Sequence, residues 1–331
     1  MNSISPEDTY ASLIFSLPES ERALDILEIK NFREMPKRLY RFRSESCPRQ
    51  NPSTPYAVDE IRRGYVYASP ANQQNDVFDS CLRVNADDLA EKAMGSPNDW
   101  IEYLRGQGKT ISKQQERDVL QFNSVYEAAA YFIENEGWSK EKSKEAALAL
   151  KKAIKDVSFK PLSQQFSKLI QDSNPLCSFT DTPLAEQMWG YYNDKPFQGA
   201  CIEYNPRSQI APRAFQRLTL PVQYLEGGMD ATNHMLESLK PDGNIQRLSL
   251  VAALVKDKKW EHEREWRYCV PFGIGPRECG APEITKVILG YQAGETFSEQ
   301  IKEVCQSNGI PVEVATPDHG SRKVVLRPID E

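Results

Sequence analysis

Two glutamates separated by a single residue, Glu263 and Glu265, stand in the stretch Trp260-Glu261-His262-Glu263-Arg264-Glu265-Trp266-Arg267. Two carboxylates so spaced can stabilise a developing cation, orient sugar hydroxyls or bind a metal. Read with the two-residue period of a strand and continued to Phe272, the stretch divides into two faces. Trp266, Tyr268, Val270 and Phe272 fall on one. Glu261, Glu263, Glu265 and Arg267 fall on the other. Like charges two residues apart on a strand repel unless a cation, a ligand or solvent offsets them. The acidic face is therefore either a solvated edge that resists aggregation or the lining of a site. The flanking tryptophans favour the site, because they anchor the strand in a core.

Other residues carry chemistry of their own. Arg41 and Arg43 share one face of the alternating run Arg38 to Arg43. A pair of guanidinium groups can grip phosphate or carboxylate bidentately. The plainer alternative is a surface ion pair with Asp59 or Glu60. Ser69 ends a strand before a loop containing Asn75, Asp76 and Asp79, residues that make Asx turns, cap helices or ligate a cation. Trp189, Tyr191 and Tyr192 close a helix, where they form core or stack a planar ring. His262 reads as a packed or surface histidine, and Cys201 has no histidine set to activate it. The spacings of a P-loop, GxGxxG, GxSxG, HExxH or EF-hand are not present.

The elements that must position these residues follow from composition and pattern. The chain has 331 residues, 40% hydrophobic and 27% charged, enough for one large core or two smaller ones. Its net charge of −6 argues against a generic nucleic-acid binder. No apolar run reaches the roughly 18 residues of a membrane span, and the N-terminus lacks the basic and apolar regions of a secretory signal. The seven cysteines are scattered, without a CxxC pair, which suits a reducing cytoplasm and argues against a structural zinc site.

Periodicity predicts a helix within 5–30, a strand at 38–43, a short helix at 58–63 closed by Gly64, and a strand at 65–69. Residues 85–171 are rich in Ala, Lys, Glu and Gln and read as three or four helices, among them 124–135 and 143–170 with a break at Pro161. Strands return at 176–179, 200–204 and 217–225, with a helix at 184–192 capped by Thr182. Residues 229–257 read as mostly helical. After the acidic strand come a strand at 284–289, a helix near 296–307 and strands at 311–315 and 322–327. The fold class expected is α+β: one mixed-sheet domain over 1–331 with a helical insertion at 85–171.

Several segments in order resemble a bacterial family, the one filed as domain of unknown function 2971. They are LYRFRS at 39–44, YVYASPANQQNDVFD at 65–79, SFTDTPLAEQMWGYYND at 178–194, GACIEY at 199–204 and K-x3-W-x2-E-x-E-W-R at 256–267. Members often carry a histidine before the glycine that this chain has at Gly199; here Phe197-Gln198 stand instead. That family name confers no activity. The chain is also similar, more distantly, to ADP-ribosyltransferases of the Arg–Ser–Glu type, with Arg41, Ser69 and Glu263-Arg264-Glu265 in the family's order. This similarity implies a split-sheet scaffold and NAD as substrate, with no metal. It assigns Glu265 to stabilising the oxocarbenium-like centre and Glu263 to orienting the acceptor. It assigns Arg41 to the pyrophosphate, Ser69 to the nicotinamide ribose, and Tyr67 or Tyr65 to stacking the nicotinamide ring. The implied protein is a cytoplasmic transferase or NAD glycohydrolase, toxin-like or active in phage defence. Two alternatives stand beside it. One is a metal-dependent nuclease with Asp76, Asp79, Glu263 and Glu265 around Mg²⁺. The other is a non-catalytic sensor or partner-binding module that presents 85–171.

Overall fold

The alternation in Leu39-Tyr40-Arg41-Phe42-Arg43 builds strand β1 (Leu39–Arg43), with Leu39 facing one core and Phe42 the other. In the computed structural model, residues 14, 26, 28–30, 33–48, 53–76, 78–192, 195–238, 243, 245–270 and 277–329 are described. Most of the helix expected within 5–30 lies outside them. The chain divides into two compact units. One comprises 1–81, 170–228 and 249–331; the other comprises 82–169 and 229–248.

The first unit is mixed α+β. Its strands are β1, β2 (Tyr65–Pro70), β3 (Pro175–Thr180), β4 (Ala200–Asn205), β5 (Thr219–Pro221), β6 (Gln223–Leu225), β7 (Val255–Asp257), β8 (Glu265–Cys269), β9 (Arg277–Gly280), β10 (Glu283–Gly290), β11 (Val312–Asp318) and β12 (Lys323–Pro328). Ten of them form one sheet with the order β12-β11-β10-β4-β1-β3-β2-β9, to which β8 adds beside β3 and β5 beside β8. β10 and β11 run parallel and the other pairs in this sheet antiparallel, so the sheet is mixed. β6 and β7 form a separate parallel pair.

Helix α1 (Tyr56–Arg63) ends on Gly64, whose φ of 65° is the left-handed geometry that glycine adopts at little cost. Ala57, Val58 and Ile61 of α1 pack on one face of the sheet with Val66, Phe179, Trp266 and Tyr268. On the other face, Trp189 of helix α2 (Glu186–Tyr191) is fully buried against Phe42, ring centroids 4.9 Å apart and edge-on. That arrangement adds about 0.5–1.5 kcal/mol beyond burial alone. The cap of α2 differs from the expected one. Ala185 holds the N-cap position, while the Thr182 hydroxyl accepts from Leu184 N in the turn before it.

The expected strand at 217–225 begins instead as a helix, Arg213–Leu218, and only then becomes β5 and β6. The larger correction concerns the acidic stretch. Residues Lys258–Glu263 form a 3-10 helix, not a strand. Arg264 takes φ 47° and ψ 50°, and β8 starts at Glu265. Glu263 is therefore not on the strand, and Pro271 and Phe272 lie outside the described residues.

The second unit is helical: Ala86–Ala93, Pro97–Gly106, Lys113–Val119, Val125–Asn135 and Lys140–Ile154, with Thr232–Ser238. Ser96 and Ser112 each close a capping box, with Asp99 and Gln115 as reciprocal partners. The helical region thus takes in 229–248 as well as most of the expected insertion. A π-turn at Lys155–Phe159 separates Lys140–Ile154 from Lys160–Ser173, so the break falls just before Pro161. No helix among the described residues is long and apolar enough to cross a membrane.

Candidate active site

β3 organises the site. β8 occupies one of its edges through the register Leu176↔Cys269 to Thr180↔Glu265. On the opposite edge β2 pairs only at Leu176 and Pro175, and β1 only at Thr180. The two strands leave a gap opposite Cys177, Ser178 and Phe179. A cavity of about 150 Å³ lies at this fork, lined by Arg41, Arg43, Ser69, Glu263 and Glu265 together with Tyr40, Tyr192 and residues of β3.

Four expected site residues therefore meet, though not in one way. Register places Ser69 on the face of Leu176, and Glu265 on the face of Thr180, which is the same face. Tyr40 pairs with Thr180, so Arg41 and Arg43 point to the opposite face. Arg41 reaches the cavity through the gap. Its guanidinium donates to Tyr67 O at 2.9 Å, touches Cys177 Sγ and stands 3.9 Å from Glu60 Oε1. Arg43 pairs with the same fully buried Glu60. Among these three charged groups one cation is in excess.

Tyr65 and Tyr67 do not line the cavity, which corrects their expected role as ring-stackers. β2 meets β3 only at its last two residues, so both tyrosines lie along its other half, against β9. Tyr65 donates its hydroxyl to Asp59, and Tyr67 is exposed.

The acidic face is neither open water nor an unpaired row. Glu265 Oε1 accepts from Arg267 Nε at 2.8 Å, and its Oε2 accepts from Arg267 Nη2 at 3.0 Å and Lys256 Nζ at 3.1 Å. Glu263 Oε2 accepts from the same Lys256 at 2.5 Å. Arg267, wholly buried, also grips both oxygens of Asp79 and donates to Ala253 O at 2.7 Å. Three carboxylates thus surround two cations in the interior, leaving one negative charge unbalanced beside the cavity. Tyr224 supplies its hydroxyl oxygen to Glu265 N at 2.7 Å and fixes the start of β8.

The two glutamates are driven apart. Burial lifts Glu263 above the ordinary carboxylate range, helped by the charge of Glu265 and opposed by Lys256. Burial acts on Glu265 in the same sense, but Arg267 and Lys256 outweigh it and hold the group at about 2. Paired carboxyls pushed in opposite directions are the usual arrangement of an acid–base couple.

Three of the four carboxylates of the metal reading, Asp79, Glu263 and Glu265, are gathered on Arg267 and Lys256. Asp79 spends both oxygens on a guanidinium, and Asp76 accepts from Phe78 N in an Asx turn. No cluster of metal-ligating groups occurs among the described residues. No family model, curated protein or solved structure matches the chain. Sequence reasoning grouped Asp79 with the two glutamates around a metal and missed that Lys256 and Arg267 are the cations they share. Lys256 begins the K-x3-W-x2-E-x-E-W-R pattern, the one signal that could have found it.

Proposed function

We propose that the fork cavity receives the nicotinamide end of NAD and that the protein cleaves its N-glycosidic bond, passing ADP-ribose to an acceptor or to water. The observation that carries this reading is the meeting of Ser69, Glu263 and Glu265 around one cavity that Arg41 and Arg43 also line. The excess negative charge beside Glu263 and Glu265 favours a pyridinium ring and the oxocarbenium-like centre formed as that ring leaves. A cavity of about 150 Å³ is smaller than the roughly 300–1,000 Å³ of sites that enclose a whole drug-sized ligand. It suits one ring of a dinucleotide, with the remainder outside.

In this mechanism the bond from ribose C1′ to the ring nitrogen breaks, and its electron pair neutralises the departing nicotinamide. Glu265, fixed as an anion, stabilises the cationic C1′, and Ser69 positions the ribose. A water or acceptor hydroxyl attacks C1′ and gives its proton to Glu263, whose raised proton affinity suits a general base. The placement of Arg41 on β1, Ser69 on β2, Glu265 at the start of β8 and Glu263 in the 3-10 turn before it, all around β3, accords with an ADP-ribosyltransferase-like scaffold. The ordered segments support kinship with the bacterial family named above.

Wild-type protein incubated with NAD should release nicotinamide, and Glu263→Gln should slow release about 10²- to 10⁴-fold without a fall in melting temperature. Equal release by both, or none with water, protein or nucleic acid as acceptor, removes the reading. A second reading, a binding module, is favoured by one observation. The helical unit holds its own cavity of about 720 Å³, lined by Phe122, Tyr126 and Tyr131 with Lys140 and Lys144.

A further inference from the structure

The 3-10 helix that ends in Glu263 carries two rings on its way there. Trp260 and His262 lie with ring centroids 6.1 Å apart and planes 30° from parallel. Tyr191, at the end of α2, leans on both, 6.3 Å from Trp260 and 6.0 Å from His262. It is 57% exposed although it is a large aromatic residue. The same two elements supply Glu263 and Met188 to the cavity wall. Lys256 ties the groups together. Its ammonium stands 2.5 Å from Glu263 and 5.0 Å from the centre of the Trp260 ring.

This cluster has unspent hydrogen-bonding capacity. His262 Nδ1 lies 3.1 Å from Lys259 O, and a carbonyl can only accept, so this nitrogen bears the proton and Nε2 is left as an acceptor. That Nε2 and the indole Nε1–H of Trp260 are both buried without a partner among the described residues. One unfilled acceptor and one unfilled donor therefore sit beneath an exposed tyrosine. A buried polar group left unpaired is costly, so the pair favours any ligand that fills it.

We propose that Tyr191, Trp260 and His262 seat the adenine ring of the dinucleotide, a proposal that rests on the reading of the fork cavity as a nicotinamide site. Adenine presents a donor at N6 beside an acceptor at N7, the complement of His262 Nε2 and Trp260 Nε1–H. Its flat face stacks on the Tyr191 ring, which turns to admit it. The fork cavity takes one ring of a dinucleotide, and this cluster, joined to it through Lys256, takes the other.

Calorimetric titration with AMP and with nicotinamide mononucleotide tests the proposal without reliance on turnover. Tyr191→Ala should weaken AMP on the order of tenfold and leave nicotinamide mononucleotide unchanged, while Tyr191→Phe should restore AMP binding. Inosine monophosphate, which replaces the N6 donor with a carbonyl, should bind more weakly than AMP. Failure of AMP to bind, or equal affinity for wild type and Tyr191→Ala, overturns the adenine seat. AMP binding that depends on Tyr191 without any cleavage of NAD keeps the seat and removes the reaction. Cleavage of NAD with a KM untouched by Tyr191→Ala keeps the reaction and removes the seat.

Discussion

Glu263 and Glu265 differ by two positions in sequence and by almost everything in surroundings. Glu265 is held by Arg267 and Lys256 together, while Glu263 has Lys256 as its ion-pair partner among the described residues. Breaking a buried, multiply bonded ion pair costs about 3–5 kcal/mol, so Glu265→Gln should lower the melting temperature by several degrees. Glu263→Gln keeps an acceptor for Lys256 and removes the unbalanced charge, so its stability should match or exceed that of wild type. The sign of the pH dependence follows from the depressed group. Glu265 titrates at about 2 in the folded protein against an ordinary 4.5, so it binds fewer protons folded than unfolded. Its contribution is complete above about pH 4.5 and is lost as pH falls towards 2. The stability gap between wild type and Glu265→Gln, measured by denaturant titration, should therefore close across that window. A gap that is constant from pH 7 to 3 would contradict the assignment. The resemblance assigned Glu265 to the oxocarbenium-like centre. The geometry makes Glu263 the cleaner test of chemistry, because removing it does not take the strand's anchor with it.

At the scale of elements, much was legible because it is local. β1, α1 with its Gly64 cap, β2, β3, β4 and the closing strand–helix–strand–strand all fall within a few residues of where alternation and capping put them. What was not legible is the turn at Arg264. Nothing in Glu-Arg-Glu announces a left-handed arginine. Arg264 is held there from outside its own segment, by Asp181 at 2.5 Å and by Tyr224 on the next backbone N–H. The consequence is functional geometry. A continuous strand would put both glutamates on one flat face, whereas the bend delivers Glu263 from a 3-10 turn onto the same ammonium that Glu265 reaches from the strand. A β-branched residue tolerates φ above zero poorly, at a cost of about 1–3 kcal/mol. Arg264→Val should therefore lower both the melting temperature and nicotinamide release. Arg264→Asn, a residue that accepts left-handed geometry, should preserve both even though it loses the exposed pair with Asp181. Equal behaviour of the two variants would show that the turn is set by the ion pair and not by the backbone.

Across the whole molecule, the partners of the site come from distant parts of the chain. Asp79 and Arg267 stand 188 positions apart in the chain, yet they share two hydrogen bonds. No local pattern could have matched them, which is why Asp79 read as a capping, Asx-turn or cation-binding loop residue and Arg267 as one charge in a row. The extent of the helical unit was hidden for a similar reason. Residues 229–248 belong with 82–169 by packing, not by adjacency. Each unit has its own core: Ile101, Val119 and Ala128 are fully or nearly fully buried in the helical one, and the sheet carries the ion cluster in the other. Units with separate cores need not melt in one step. Ile101→Ala removes a fully buried side chain at a cost of about 2–5 kcal/mol. In scanning calorimetry it should lower the transition of the helical unit while the transition lowered by Glu265→Gln stays in place. Nicotinamide release by Ile101→Ala, measured below its lowered transition, should equal that of wild type, because every group assigned to the reaction lies in the other unit. If Ile101→Ala instead abolishes release while its sheet transition is intact, the helical unit takes part in the chemistry, and the fork cavity is not the whole site.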